Sequence, residues 1–182
     1  METTSELITI ERDCEAILIP SGDPIKLIKG THVRITQALG GDFTLFVNGN
    51  LVKISGKDAD AIGEKVKETK DASKINNGKY SEELVWEQLR TCFDPEIPVN
   101  IVDLGLIYDL TKESNKGGGY NLHIKMTLTA PGCGMGPSIA QDVEQKVIAL
   151  PEVNDVLVEI VWEPLWDRSM MSEDAQLKLG MF

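Results

Sequence analysis

The sequence predicts an α+β protein: a small all-β domain, then two helices packed on a three-stranded sheet, then a short C-terminal helix. Three observations carry this expectation. The first sixty residues hold short apolar segments separated by Gly and Pro at intervals too close for helices. Residues 63–79 are rich in Lys, Glu, Asp and Asn and poor in large apolar side chains, as a solvated linker is. Beyond residue 80 the apolar periodicity runs helix, strand, strand, helix, strand. The expected boundaries are 1–62 for a β-barrel or roll, 63–79 for the linker, 80–165 for the α/β domain and 166–182 for a helical tail.

In the first region the apolar segments are Leu7 to Ile10, Glu15 to Ile19, Val33 to Ile35, Phe43 to Val47 and Leu51 to Ile54. Asn48-Gly49 joins the last two, and this dipeptide tolerates the positive φ angles of a type I′ hairpin. Nothing in this region points to chemistry. In the second region Ser81 is placed to cap a helix with Glu82 and Glu83 in its first turn, opposing the dipole. Val85, Leu89 and Cys92 give one buried stripe, and Asp94-Pro95 ends the helix. A strand is expected from Gly105 to Thr111, and the glycines at 117–119 make a hairpin connection. Tyr120 to Thr129 alternates strictly, with Leu122, Ile124, Met126 and Leu128 on one face and His123, Lys125 and Thr127 on the other. Pro137 opens a second helix whose stripe is Ile139, Val143, Val147 and Leu150. Val153 to Trp162 is the third strand. Ser172 to Leu179, closed by Gly180, is the terminal helix. Trp162, Trp166, Met170 and Met171 are expected to cover the core.

Composition narrows the function classes. Of 182 residues, 18 are Lys or Arg and 29 are Asp or Glu, so the net charge is −11. That balance argues against nucleic acid and anionic membranes as partners. No apolar run approaches the ~18 residues needed to span a bilayer. The polar, acidic residues 1–6 do not read as a signal peptide. Three widely spaced cysteines make no disulfide framework. The expected location is a reducing cytoplasm.

Cys133 is the residue best placed for chemistry. It lies between a strand and a helix, with Gly132, Gly134 and Gly136 leaving its sulfur unshielded. The helix that follows offers a positive dipole end, which favours a thiolate able to attack electrophiles or bind a soft metal. Cys92 belongs to a core stripe and Cys14 to the other domain, so both read as structural. Asp94, Glu96 and Asp103 are close together on an irregular stretch. Either Asp94 caps a turn and the others face water, or this loop folds beside Cys133 and brings oxygen donors to it. His123 is too far along its strand to share a site with Cys133, and His32 lies in the other domain. The glycine loop is not a dinucleotide fingerprint, because Pro137 stands where the third glycine belongs, and no Lys-Ser or Lys-Thr follows for a P-loop.

The string from Phe93 to Tyr108 (FDPEIPVNIVDLGLIY), together with Met126 to Gly134 (MTLTAPGCG), resembles the MIP18-like family of iron–sulfur cluster assembly factors, and in its N-terminal extension and tail the branch tied to the bacterial SUF system. The resemblance implies a MIP18-like fold over residues 80–165. It implies a role in maturing iron–sulfur proteins by transfer or targeting, with no enzymatic turnover. The partners it implies are SUF assembly proteins and client apoproteins. Asp94, Glu96, Thr129 and Cys133 are the positions it marks as a site. The family's loop often has Pro directly after the Cys, whereas Gly134 stands there in this chain.

Ligand counting limits the mechanism further. A cluster generally needs four protein ligands, mostly thiolates, and this chain offers one accessible candidate. The expectation is therefore no stably bound cofactor. Either Cys133 shares a transient iron–sulfur cluster or iron with a partner or with a second copy in a homodimer, or the protein is an adaptor in which Cys133 is not required. A thiol enzyme is the least favoured reading, since no histidine is placed to activate the nucleophile.

Overall fold

The computed structural model describes residues 7–66 and 75–181. The chain divides into two compact units, residues 1–69 and 70–182. The middle of the expected linker, residues 67–74, and the first six residues lie outside the described part. No helix among the described residues is long and apolar enough to cross a membrane.

The first unit is one antiparallel sheet of six strands: β1 (Leu7–Thr9), β2 (Cys14–Ile19), β3 (Pro24–Leu27), β4 (His32–Leu39), β5 (Asp42–Val47) and β6 (Asn50–Ile54). Their order is β1-β4-β5-β6-β2-β3, which leaves β1 and β3 as edges. Two tight turns set the register. Gly40 and Gly41 join β4 to β5, and Asn48 and Gly49 join β5 to β6, all four with positive φ as type I′ turns require. Strand β3 is a correction to the sequence reading, in which Gly22 and Pro24 signalled only turns. Pro24 opens an edge strand, where a missing N–H costs little in the ladder. Ile10, Val33, Leu45, Val52 and Ile54 are fully covered at the centre of the core. A 3₁₀ turn over Gly56–Ile62 closes one end, and Arg12 holds it by hydrogen bonds of 2.8 Å to Asp58 and 2.6 Å to Asp60.

The second unit contains α1 (Glu82–Leu89), β7 (Ile107–Ser114), β8 (Tyr120–Met126), α2 (Gly136–Ile148), β9 (Val153–Ile160) and α3 (Glu173–Lys178). The sheet order is β7-β8-β9, with β7 antiparallel and β9 parallel to the central strand. A parallel neighbour needs a crossover, and α2 supplies it while packing on β9. Helix α1 packs in turn on α2. Leu122, Ile124 and Met126 of β8 are buried, as are Ile139, Val143 and Val147 of α2 and Val85 and Leu89 of α1.

Several boundaries differ from those expected. Helix α1 stops at Leu89 and Arg90 and Thr91 continue as a turn, so Cys92 is buried from beyond the helix and not from within it. Ser81 makes no side-chain cap; its hydroxyl donates to Glu83 instead. Strand β7 begins two residues later than expected and runs on to Ser114, and β8 and β9 end at Met126 and Ile160. The terminal helix is capped as expected, with the Ala175 N–H donating to Ser172 Oγ.

The C-terminal segment covers the core only in part. Met171 and Ala175 are buried, but Trp162 and Leu165 are exposed. Trp166 Nε1 donates to the Leu104 carbonyl at 2.7 Å, and the Ser172 N–H donates to the Asp103 carbonyl at 2.8 Å. Between these two bonds the segment's backbone rests on Gly105. A Cβ there would stand 2.1 Å from the Met170 carbonyl oxygen, and φ at Gly105 is +74°. Gly132 has a similar φ of +80° with nothing within 4 Å of a Cβ. Gly105→Ala is therefore expected to destabilise the second unit by about 2–4 kcal/mol, and Gly132→Ala by only about 1 kcal/mol. Urea unfolding followed by tryptophan fluorescence measures both, because Trp86, Trp162 and Trp166 all lie in this unit. Equal losses would mean that backbone conformation alone explains Gly105.

Candidate functional site

The loop between β8 and α2 is built from two turns. The Cys133 N–H donates to the Ala130 carbonyl at 3.4 Å, and the Gly136 N–H donates to the Cys133 carbonyl at 3.2 Å. The first N–H of α2 thus goes to the cysteine's backbone and leaves its sulfur out of the cap. Gly132 takes the left-handed conformation, which a glycine adopts at no steric cost. Gly134 is exposed, and Cys133 and Thr129 are half-buried. Met135, two residues after the cysteine, is buried and anchors the loop to the core.

Access separates the three cysteines. Cys14 is 4% exposed and Cys92 is fully covered, whereas Cys133 is half-buried. Burial, with help from the charge of Asp58, also pushes the Cys14 thiol up from its ordinary pKa.

Asp94 is 4% exposed, and its Oδ1 accepts the N–H groups of Glu96 at 2.8 Å and Ile97 at 3.0 Å. This is the turn-capping geometry, the plainer of the two alternatives. Glu96 is exposed. Asn100 organises the remainder of the loop: its Oδ1 accepts from the Val102 and Asp103 N–H groups, and its Nδ2 donates to Asp103 Oδ2 at 2.7 Å. Among the described residues no hydrogen bond or ion pair joins Asp94 or Glu96 to Thr129 or Cys133, and no three His, Cys, Asp or Glu side chains are grouped to hold a metal ion. His123 is occupied elsewhere, with Nε2 2.8 Å from Glu159 Oε2.

Sequence reasoning passed over Thr127. It is fully buried, its hydroxyl has no hydrogen-bond partner, and its N–H donates to the Leu106 carbonyl at 2.8 Å. The only signal in the sequence was a polar residue ending an alternating strand that leads into the cysteine loop.

Two predictions follow from these geometries. With the chain native, a thiol reagent such as an aromatic disulfide is expected to titrate one thiol rapidly, and Cys133→Ser to remove that reaction. Cys14 and Cys92 should react only after denaturation. Rapid reaction of a second thiol in the Cys133→Ser variant would contradict the assignment. For Asp94, burial raises its pKa above the ordinary 3.8, against the smaller lowering effect of the Glu96 and Ile97 N–H groups. A raised folded-state pKa means that the protonated form favours folding, so this contribution is complete below pH 3.8 and is lost as pH rises through the raised value. Asp94→Asn keeps an oxygen acceptor without the charge. The stability of wild type relative to Asp94→Asn should therefore fall as pH rises from the acid limit, then level off. A difference that grows with pH would show that Asp94 is stabilised as a carboxylate.

Residues 82–160 match the model of a family described as iron–sulfur cluster assembly protein. The chain is 44% identical over 105 residues to an Fe–S protein maturation auxiliary factor of Porphyromonas gingivalis, covering 58% of this chain and 96% of that protein. It is 44% identical over 93 residues to the factor YitW of Bacillus subtilis (51% of this chain, 87% of the relative) and 40% identical over 88 residues to SufT of Staphylococcus aureus (48% and 96%). Among solved structures, a domain of unknown function, DUF59, from Bacillus anthracis superposes with a TM-score of 0.50 at 39% identity, covering 56% of this chain and 92% of that one. The family segment lies inside the second unit and contains Asp94, Glu96, Thr129 and Cys133. On this agreement of sequence with sequence and fold with fold, the chain belongs to the iron–sulfur cluster assembly protein family.

Proposed function

We propose that this protein is an auxiliary factor in iron–sulfur protein maturation in the cytoplasm, and that Cys133 is its working thiol. One observation supports the reading above others: of three cysteines, the accessible one lies in the loop of the family-matched segment, held there by two turns and a buried Met135. A cluster or iron is cargo in this scheme, and the chain holds no resident cofactor. The Cys133 thiolate supplies one ligand, and the donor, the acceptor or a second copy of this chain supplies the rest. Release is a ligand exchange: a thiolate of the recipient forms its bond to iron as the bond to Cys133 breaks, with no net oxidation. Thr129 and the turn held by Asp94 support the site, and exposed Glu96 offers a carboxylate to a partner. No substrate is turned over, so the protein acts as a carrier or targeting factor for client apoproteins alongside the SUF machinery.

The alternative is an adaptor that brings assembly proteins and clients together without using its thiol. Complementation separates the two. In cells lacking this protein, wild type is expected to restore aconitase activity, and Cys133→Ser at equal abundance to leave it near the deletion level. Full rescue by Cys133→Ser would favour the adaptor. Failure of wild type to rescue would remove the maturation role itself.

A further inference from the structure

We infer that the outer sheet face of the first unit docks an amphipathic helix of a partner protein, one carboxylate of which meets Arg34. Four side chains stand in a row across this face: Leu7, Arg34, Phe46 and Leu51 are opposite one another on β1, β4, β5 and β6. Their strand neighbours Val33, Leu45 and Val52 belong to the core on the other face. An outward sheet face is ordinarily polar, yet Leu7 is 65% exposed, Phe46 43% and Leu51 37%. The first unit lies outside the family-matched segment, and the inference stands apart from the thiol reading.

Charge and spacing specify the occupant. Arg34 is exposed, and its cross-strand neighbours are the apolar Leu7 and Phe46. The diagonal positions hold Thr9 and Thr44, neither of them charged. Among the described residues no carboxylate lies within 4.0 Å of the Arg34 guanidinium. On the same face Asp42 is neutralised by Lys53 at 2.9 Å, and His32 is hydrogen-bonded to Thr9 at 3.1 Å. Glu11, four residues past Leu7, and Glu15, three strands away, are each about 13–14 Å from the row, beyond the ~10 Å Debye length. The surplus charge of the row is therefore positive, and a guanidinium beside a ring takes a carboxylate in bidentate contact. A second copy of this face has no free carboxylate to offer there, which argues against self-association. Spacing then selects a helix. The row advances by ~4.8 Å per strand, reaching about 5, 10 and 14 Å. Residues i+3, i+7 and i+10 of a helix fall at about 4.5, 10.5 and 15 Å from residue i. Alternate residues of an extended chain, ~6.7 Å apart, are out of step by ~6 Å at the fourth. The matching helix has an acidic residue at i+3 and apolar ones at i, i+7 and i+10. Net charge of −11 disfavours a partner that is acidic elsewhere.

The test uses the full chain and fluorescein-labelled, end-blocked helical peptides of Ala and Gln with Leu, Glu, Leu and Leu at those four positions. Counterparts carry Gln or Lys in place of Glu. Anisotropy is expected to rank Glu above Gln by about three-fold, the size of one exposed charge pair, and added salt to remove the difference. Arg34→Glu should reverse the order so that the Lys peptide binds best, a gain that a merely misfolded variant could not show. Phe46→Ser should weaken all three peptides alike. Amide shifts on adding the Glu peptide should centre on Arg34, Phe46 and Leu51. An unchanged ranking in Arg34→Glu, no binding by any of the peptides, or shifts centred on the second unit would each overturn the proposal. Equal binding by a Glu peptide whose helix is broken by proline would do the same. So would sedimentation showing that wild type is a dimer and Phe46→Ser a monomer, since a second copy would then cover the row.

Discussion

The second unit depends on the turn from Asn100 to Leu106. Its backbone is bonded on three sides: the Ile101 N–H donates to the Cys92 carbonyl after α1, the Leu106 carbonyl accepts from Thr127 at the end of β8, and the Leu104 and Asp103 carbonyls accept from the C-terminal segment. Three separate pieces of chain therefore meet at a stretch with no regular hydrogen-bond ladder of its own. Asn100 replaces that ladder locally by accepting two N–H groups from within the turn. Gly105 makes the closest approach, because any side chain there would occupy the space of the Met170 carbonyl. Buried Leu104 and Leu106 on either side of it seal the turn onto the core.

The same constraint explains how far the sequence could be read. Where periodicity dominates, as in Leu122, Ile124 and Met126 or in Ile139, Val143 and Val147, the elements and their buried faces were legible, and Asn48-Gly49 disclosed its hairpin by backbone chemistry alone. Local pattern says nothing of which strand lies beside which. The parallel β8–β9 pairing follows from a tertiary requirement that the α2 stripe find a sheet face, which the alternation of Tyr120 to Thr129 does not disclose. Strand β3 was hidden because Pro24 punctuates a sequence but is tolerated at the start of an edge strand. In the tail, aromatic and Met residues read as core cover, yet only Met171 is buried, since Trp166 uses its indole N–H to clamp a carbonyl and Trp162 stays exposed.

The candidate site was legible unevenly for a related reason. Cys133 stands out by its glycine neighbours, which is a local signal. Asp94 stands out as a carboxylate among apolar residues, and two chemistries fit that pattern. The structure places its Oδ1 on two backbone N–H groups at 4% exposure, and so the capping role accounts for the aspartate without any ligand. Thr127 was legible only as one more residue of the polar strand face, because a buried, unpartnered hydroxyl is a property of packing and not of a residue string.

Function in such a molecule is constrained by what one chain cannot supply. For the cluster cargo of the proposed scheme, one accessible thiol would leave most of the coordination to the donor, the acceptor or a second copy. A carrier of that kind has to hold its partner while ligands exchange, and a single iron–thiolate bond fixes neither orientation nor identity. In the carrier scheme proposed above, the protein therefore needs a second contact whose strength does not depend on the cargo. Net charge of −11 gives long-range preference for basic surfaces but no register. Register requires contacts at fixed places on a shaped surface, and the face of β8 has its shape set by backbone pairing with β7 and β9 on either side. Division of labour between a reactive loop and a rigid recognition face would let partner affinity and ligand exchange be tuned independently, each by substitutions that leave the other unchanged.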